Sequence, residues 1–269
     1  MSYLFLAIPN FCGSTLVHNL IDTCPNVVSL TDPNPIKNDG TDDWRKEFVE
    51  GNCVAPMGYQ NLLGPHSMEA NMEHVYANPN NYNWKYIKKV WNKNWATKNE
   101  LATIRLQKTP ADIFRIPMMV PYFPNTKWII SVRNPYAYIE SIIRKATFHM
   151  EPIRQLDQIC FHVLRVMELQ IQNAQFLGEN AYAMTYEDFC ARPEQHKENL
   201  GNWIPELKQI NFDKELWIKG NKSNKIIDDT EKRIQNLIDG VPDILNMINK
   251  YFIPLEPLLN QWGYEIRYK

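Results

Sequence analysis

Short apolar runs alternate with longer segments of helical periodicity along most of the chain. The apolar runs predict strands at residues 3–8, 27–30, 103–106, 127–132 and 181–185. Apolar residues at helical spacing predict helices at residues 14–23, 111–120, 135–148, 153–176 and 228–238, and a last one ending at 262–264. Strands joined by crossover helices are typical of a parallel sheet. The pattern therefore predicts a three-layer α/β fold, with a mainly parallel central sheet and flanking helices.

One stretch, residues 32–84, departs from this alternation. It is rich in Asn, Pro and Gly, and its aromatic residues follow no clean period. We interpret it as an irregular insertion packed over the sheet, as a lid or an acceptor-binding region. Because there are no repeats and no long low-complexity segments, residues 1–269 are predicted to form a single domain.

Composition excludes several classes of protein. The 29 basic and 30 acidic residues give a formal net charge of -1, whereas a nucleic-acid binder normally has a basic excess. The 5 cysteines are widely spaced and contain no C-x-x-C pair, so neither a disulfide framework nor a metal site is expected, and reduced thiols fit a cytoplasmic protein. The apolar N-terminus is too short for a membrane span and lacks the basic lead-in of a signal peptide.

The first candidate for chemistry is the glycine turn after the first strand, Pro9-Asn10-Phe11-Cys12-Gly13-Ser14-Thr15-Leu16. A turn that leads into a helix presents unpaired backbone N–H groups, and these groups and the helix dipole favour a bound phosphate. The predicted phosphate-binding residues are Cys12, Gly13, Ser14, Thr15 and Leu16. Alternatively, Gly13 only turns the chain and Ser14 caps the helix.

The second candidate lies at the end of the fourth predicted strand, where Val132-Arg133-Asn134-Pro135 leads into a helix. Arg133 stands beyond the carboxyl end of its strand, where ligands of open α/β sheets bind. Ser141 follows two helical turns later, so the guanidinium and the hydroxyl can approach one phosphate together. The alternative is a surface ion pair for Arg133 and an ordinary helical position for Ser141.

Together these two segments resemble the sulfotransferase superfamily that uses 3′-phosphoadenosine 5′-phosphosulfate (PAPS). Other segments resemble the family in the same order: Cys24-Pro25-Asn26-Val27, Phe123-Pro124-Asn125-Thr126-Lys127, Tyr186-Glu187-Asp188-Phe189 and Gln261-Trp262-Gly263-Tyr264. The resemblance implies the P-loop-NTPase-like sulfotransferase fold, and the branch of tyrosylprotein and bacterial-type enzymes rather than the cytosolic steroid and phenol branch. It also implies transfer of a sulfuryl group from PAPS to a hydroxyl or amine without a metal, leaving 3′-phosphoadenosine 5′-phosphate (PAP). The glycine turn would hold the 5′-phosphosulfate, and Arg133, Ser141 and Tyr186 would hold the rest of the donor.

The chain departs from the family at Phe11, where family members normally have Lys or Arg beside the bridging oxygen of the donor. Sulfuryl transfer builds negative charge on the departing phosphate oxygen, which a cation in a dry site stabilises. Lys108, after the strand at 103–106, is the predicted replacement. The alternative is an exposed loop lysine.

The catalytic base is the other residue that the resemblance suggests. The attacking hydroxyl must lose its proton, which needs a carboxylate or an imidazole within hydrogen-bond reach. Tyrosine-sulfating family members use a Glu shortly after the second strand, and the matching candidate here is Asp32, which could also be a turn former before Pro33. His66, His74 and His149 are further candidates for the base.

The partner predicted for this chain is an acceptor that is a small molecule, a glycan or a peptide, with no nucleic acid and no membrane span. The basic loop at residues 219–225 is either a further donor contact or a solvated loop. Two other functions stay open. Phe11 suggests a catalytically impaired nucleotide-binding protein on the same fold. A phosphotransferase is disfavoured because the first glycine and the lysine of G-x-x-x-x-G-K-[ST] are missing.

Overall fold

A computed structural model describes residues 2–30, 70, 73–145, 155–214, 216–218, 221–223 and 226–268. Its centre is a sheet of five parallel strands in the order β2-β3-β1-β4-β5: β1 (Ser2–Ala7), β2 (Val27–Ser29), β3 (Ile104–Lys108), β4 (Thr126–Val132) and β5 (Ala181–Thr185). A parallel sheet covered on both faces needs apolar side chains on both, and Leu4, Phe5 and Leu6 of β1 are all fully buried. The predicted α/β fold with a parallel sheet is confirmed.

Helices surround this sheet in the described part of the chain. The α-helices are α1 (Ser14–Ile21), α2 (Glu73–Tyr76), α3 (Trp84–Lys98), α4 (Ile116–Met119), α5 (Pro135–Lys145), α6 (Leu156–Leu177), α7 (Tyr186–Ala191), α8 (Pro193–Trp203), α9 (Thr230–Gly240), α10 (Ile244–Phe252) and α11 (Glu256–Gln261). Short 3₁₀ segments lie at Pro79–Asn81, Pro110–Phe114, Gly178–Asn180, Pro205–Gln209 and Ile253–Leu255, and β6 (Leu216–Ile218) pairs with β7 (Asn221–Ser223) as an antiparallel ribbon. Among these helices, not one combines the length and the apolar character that crossing a bilayer requires.

The sequence prediction differs from the structure at several helices, and α7 and α8 were not predicted. The helix predicted at 111–120 is broken into the 3₁₀ segment Pro110–Phe114 and the short α4, because Pro117 cannot donate a backbone hydrogen bond to the preceding turn. Helix α3 was not predicted, since its sequence is rich in Lys and Asn. Most of the predicted insertion at 32–84 lies outside the described residues.

One face of the sheet carries a cluster of rings that we call the aromatic cluster: Tyr3, Phe5, Trp91, Trp95, Phe123 and Trp128. Trp91 and Trp95 come from α3 and are fully buried against β1. Phe5 is at its centre, with its ring centroid 4.9 Å from Trp128 and 5.2 Å from Phe123. The tryptophans of α3 therefore belong to the core.

The strand order also fixes where a ligand can approach. From β1 the chain first builds β2 and β3 on one side, and then crosses to β4 and β5 on the other. Ligands of such sheets bind outside the carboxyl ends of the strands, at the point where the order reverses. Here that point lies between β1 and β4, which pair in register from Tyr3 with Thr126 to Ala7 with Ile130. The segments that follow these two strands therefore meet.

Candidate active site at the strand ends

The turn after β1 has a left-handed backbone at two positions. Phe11 has φ 63° and Gly13 has φ 85°. Gly13 precedes the first residue of α1 and provides no side-chain cap, so the first backbone amides of α1 carry the positive end of the helix dipole. This is the local geometry that favours a bound phosphate group.

The five residues predicted to bind phosphate differ in which of their groups can contact a ligand. Cys12 and Leu16 have buried side chains that pack in the core, so only their backbone groups can face a ligand. Ser14 is 8% exposed and Thr15 is half-buried, and both carry hydroxyl donors. Gly13 brings the backbone close without a side chain.

Lys108 is the last residue of β3, one strand over from the glycine turn. Its Nζ lies 3.4 Å from Thr15 Oγ1 and donates a hydrogen bond to it. The sequence placed Lys108 just after its strand; the structure places it at the final strand position, half-buried. A cation thus stands at the first turn of α1, although Phe11 occupies the position where a basic residue was expected.

A buried histidine beside Lys108 escaped the sequence analysis. His18, on α1, is 1% exposed, and its Nε2 lies 2.5 Å from Ser29 Oγ at the end of β2. Burial, followed by the positive charge of Lys108, lowers the pKa of His18 to about 3. The imidazole is therefore neutral near pH 7. Only its helical position, three residues before the apolar Ile21 on the same face, hinted that His18 is buried.

Asp32, the predicted base, lies outside the described residues, as do His66 and His149. His74 is described and is exposed on α2. The basic loop at 219–225 is described only for the backbone of Asn221–Ser223.

Arg133 extends from the end of β4 toward the glycine turn. Its Nη1 donates a hydrogen bond to the backbone oxygen of Phe11 at 3.2 Å, and its Cζ lies 4.4 Å from the centre of the Tyr186 ring. The side chain also forms an ion pair with Asp229. Asn134 caps α5, accepting hydrogen bonds from the backbone N–H groups of Tyr136 and Ala137, which explains the Asn-Pro pair that follows the arginine.

Ser141 is linked to Arg133 through two residues that the sequence analysis did not single out. Arg233 of α9 donates from Nη1 to Ser141 Oγ at 3.1 Å and forms ion pairs with Glu140 and Asp229. Asp229 in turn pairs with Arg133. The spacing of Asp229 and Arg233, one helical turn apart at the start of the predicted helix, was the only signal in the sequence.

Tyr186 joins the glycine turn to Arg133. Its hydroxyl donates to the backbone oxygen of Ile227 at 3.0 Å, and a Cβ on Gly13 would lie 2.4 Å from Tyr186 Cδ2. Its neighbour Glu187 accepts hydrogen bonds from the Asn134 backbone, Thr230 and Tyr264. We call Arg133, Glu140, Glu187, Asp229 and Arg233 the charged cluster.

Hydrogen-bond donors dominate the side chains that the described strand ends bring together. Within the described ranges, no group of three or more His, Cys, Asp and Glu side chains is arranged to hold a metal ion. What the strand ends do bring together is helix-end amides, hydroxyls, one lysine and two arginines, which is a set of donors suited to an anionic ligand.

Comparisons with known proteins agree with this fold. The sequence profile of the Sulfotransferase family matches residues 12–205, while no curated protein matches the sequence. The sulfotransferase domain from the curacin biosynthetic pathway is 17% identical, with a TM-score of 0.51 over 98% of this chain and 98% of that one. A sulfotransferase from Alicyclobacillus acidocaldarius is 13% identical, with a TM-score of 0.50 over 97% of this chain and 96% of that one. At such identities the structures share the fold, and the profile covers well over half of the sequence: the chain belongs to the sulfotransferase family.

Proposed function

We propose that this sulfotransferase uses PAPS as its donor and transfers the sulfuryl group to a hydroxyl or amine of an acceptor. The observation that supports this most directly is the 3.4 Å contact between Lys108 Nζ and Thr15 Oγ1. It brings a cation to the helix end that follows the glycine turn, where the negative charge of the transferring group would develop. Lys108 would thus supply the positive charge that sulfuryl transfer needs, although Phe11 stands where a basic residue was expected.

In the proposed reaction the acceptor atom attacks sulfur, and the bond between sulfur and the bridging phosphate oxygen breaks. The acceptor's proton passes to a base, and PAP leaves with the bond's electron pair. Lys108, Ser14 and Thr15 are proposed to stabilise the moving group by hydrogen bonds and charge. Asp32 is proposed as the base from its place in the sequence.

The rest of the donor is proposed to lie over the charged cluster, held by Arg133, Ser141 and Tyr186. The position of Arg133 at the switch point between β1 and β4 supports this assignment. The backbone amides of Cys12, Gly13, Ser14, Thr15 and Leu16 would hold the 5′-phosphosulfate. The acceptor is proposed to be a small molecule, a glycan or a peptide.

We further propose that the chain acts in the cytoplasm, as a single domain. Reduced thiols fit that compartment, and Cys24, Cys160 and Cys190 are not in disulfides.

Replacing Lys108 tests the proposed chemistry. Lys108→Ala should lower turnover by roughly a hundredfold or more, as expected when a cation that stabilises the transition state is lost. PAP should still raise the melting temperature of the variant, because PAP lacks the sulfuryl group that Lys108 is proposed to serve. Turnover is measured with labelled PAPS on an acceptor found by screening phenols, sugars and tyrosine peptides.

The matched control is Lys127→Ala, at the opposite end of the sheet, where Lys127 Nζ donates to the backbone oxygen of Glu179. This variant should keep wild-type turnover. Full turnover in Lys108→Ala would make Lys108 a bystander. Binding of PAP by the wild type without sulfation of any acceptor would instead favour the catalytically impaired nucleotide-binding protein.

A further inference from the structure

Two buried arginines hold one partly exposed carboxylate in the charged cluster. The side chains of Arg133 and Arg233 are 5% and 12% exposed, whereas that of Asp229 is 34% exposed. Each carboxylate oxygen of Asp229 pairs with a different guanidinium, Oδ1 with Arg133 and Oδ2 with Arg233. The anion therefore covers the two cations from the solvent side.

The other two carboxylates of the cluster are fixed by further partners. Glu140 is paired with Arg144 as well as Arg233, at 3.1 and 2.7 Å. Glu187 accepts from the backbone of Asn134 at 3.0 Å and from the hydroxyls of Thr230 and Tyr264 at 2.8 and 2.7 Å. Of the three carboxylates, Asp229 can therefore move away from the arginines with the fewest other hydrogen bonds broken.

The arginines also retain donors that Asp229 does not use. Among the described residues, the buried Nε–H groups of Arg133 and Arg233 have no hydrogen-bond acceptor, and Arg133 Nε lies 3.9 Å from Glu187 Oε1, beyond hydrogen-bond distance. Ser141 Oγ lies beside Arg233 Nη1 at 3.1 Å. A phosphate group offers more oxygens and more charge than a carboxylate, so it can satisfy more of these donors.

We propose that Asp229 is a resident counter-anion, which pairs with both Arg133 and Arg233 while no donor is bound and gives way to a phosphate group of the nucleotide. The nature of the ligand rests on the proposed function, whereas the exchange itself depends only on the two arginines. Burial alone would raise the pKa of Asp229, but the hydrogen bond from Arg233 and the charge of Arg133 hold this pKa below its ordinary value. Asp229 therefore remains ionised near pH 7 and is displaced by another anion rather than by protonation.

The exchange lowers affinity and favours release. A phosphate must replace the Asp229 ion pairs to bind, and Asp229 recaptures the arginines when the nucleotide leaves. In the empty protein Asp229 keeps two like charges from repelling each other at close range. The same carboxylate thus stabilises the folded protein and lowers its affinity for the ligand.

The test replaces the charge and keeps the shape, with Asp229→Asn. We expect its melting temperature without ligand to fall, and its affinity for PAP and for inorganic phosphate to rise roughly tenfold or more, since a competing charged contact is gone. Dissociation of PAP should slow by a similar factor. Kd values are measured by calorimetry and dissociation by stopped-flow.

The matched control is Glu231→Gln, in the first turn of the helix that Asp229 precedes, where Glu231 forms an exposed ion pair with Arg267. This variant should bind PAP and inorganic phosphate with wild-type affinity. If Asp229→Asn does not fold, Asp229→Ser is measured in its place, because serine also suits a position before a helix.

Unchanged or weaker affinity for both probes in the Asp229 variant overturns the proposal, since Asp229 is then a structural residue or a direct ligand contact. If the wild type fails to bind PAP, the proposed donor is wrong. In that case a gain in phosphate affinity in the variant still supports the exchange, and no gain overturns it.

Discussion

The aromatic cluster packs against β1, whereas the charged cluster lies beyond the carboxyl end of β4, and burial has opposite effects on stability in the two. Packing rings such as Phe5 and Trp128 removes apolar surface from water and stabilises the fold. Burying Arg133 and its partners costs hydration, which the ion pairs offset only in part. The comparison teaches that stability is concentrated in the body of the sheet, and ligand recognition at its carboxyl end.

The largest change in free energy is expected from a substitution in the aromatic cluster. Phe5→Ala should lower the free energy of unfolding by about 3–5 kcal/mol, through lost burial and the cavity left behind. The increase in melting temperature that PAP causes should remain, because the Phe5 ring packs within the aromatic cluster and not among the residues proposed to hold the nucleotide. Guanidinium unfolding measures the first quantity and thermal shift the second. The control Phe176→Ala, at a side chain 56% exposed, should have a small effect, and loss of PAP binding in Phe5→Ala would contradict the separation of the two clusters.

In the charged cluster we expect a smaller free-energy change, and we expect it in ligand binding rather than in stability. Arg133→Ala should weaken PAP binding by roughly a hundredfold, equivalent to about 2–3 kcal/mol for lost charge-assisted hydrogen bonds. Wild-type protein should be stabilised more by PAP than by 5′-AMP, and this difference should disappear in the variant. Arg144→Ala, which removes a half-exposed arginine of α5, is the control. Equal responses of the wild type to PAP and 5′-AMP would remove the argument for a 3′-phosphate site.

The smallest effect is expected from His18, a buried side chain that stays neutral, whereas the side chains of the charged cluster are ionised. The pKa of His18 is lowered to about 3, so below about pH 6.5 the unfolded chain binds a proton there that the folded protein does not. Stability is therefore complete above pH 6.5 and falls as the pH decreases, by up to about 1.4 kcal/mol per pH unit for each such group. His18→Gln should make unfolding less sensitive to pH between 7 and 5.

His162 provides the matched comparison for His18. Burial lowers its pKa to about 3 as well, although it lies away from Lys108 and contacts Tyr138. His162→Gln should remove a similar part of the pH dependence. If unfolding of both variants keeps the full slope, the acid sensitivity arises from carboxylates.

Much of the fold followed from sequence patterns because the strands are short apolar runs between turns. All five predicted strands are present, with ends shifted by at most two residues. Helix α3 was missed although Trp84, Trp91 and Trp95 share one face, because the Lys and Asn residues between them obscured the period. The break at Arg115 also depends on tertiary structure, since Arg115 is fully buried and its Cζ lies 5.2 Å from the centre of the Tyr82 ring.

The candidate site was predictable to the extent that it depends on strand ends. Lys108 and Arg133 were singled out because they follow predicted strands, and the structure places both at the same edge of the sheet. Asp229 and Arg233 could not be found this way, because Asp229 lies 96 residues from Arg133 and Arg233 lies 93 from Glu140. His18 likewise meets Ser29 only in the folded chain.

The contact between Gly13 and Tyr186 limits how this chain can diverge. A side chain at position 13 would meet the Tyr186 ring at 2.4 Å on a backbone whose φ of 85° already disfavours it. Residue 13 can therefore grow only if residue 186 shrinks, and that change would remove the ring beneath Arg133. Across related sequences, a residue larger than glycine at position 13 should occur only together with a smaller side chain at position 186.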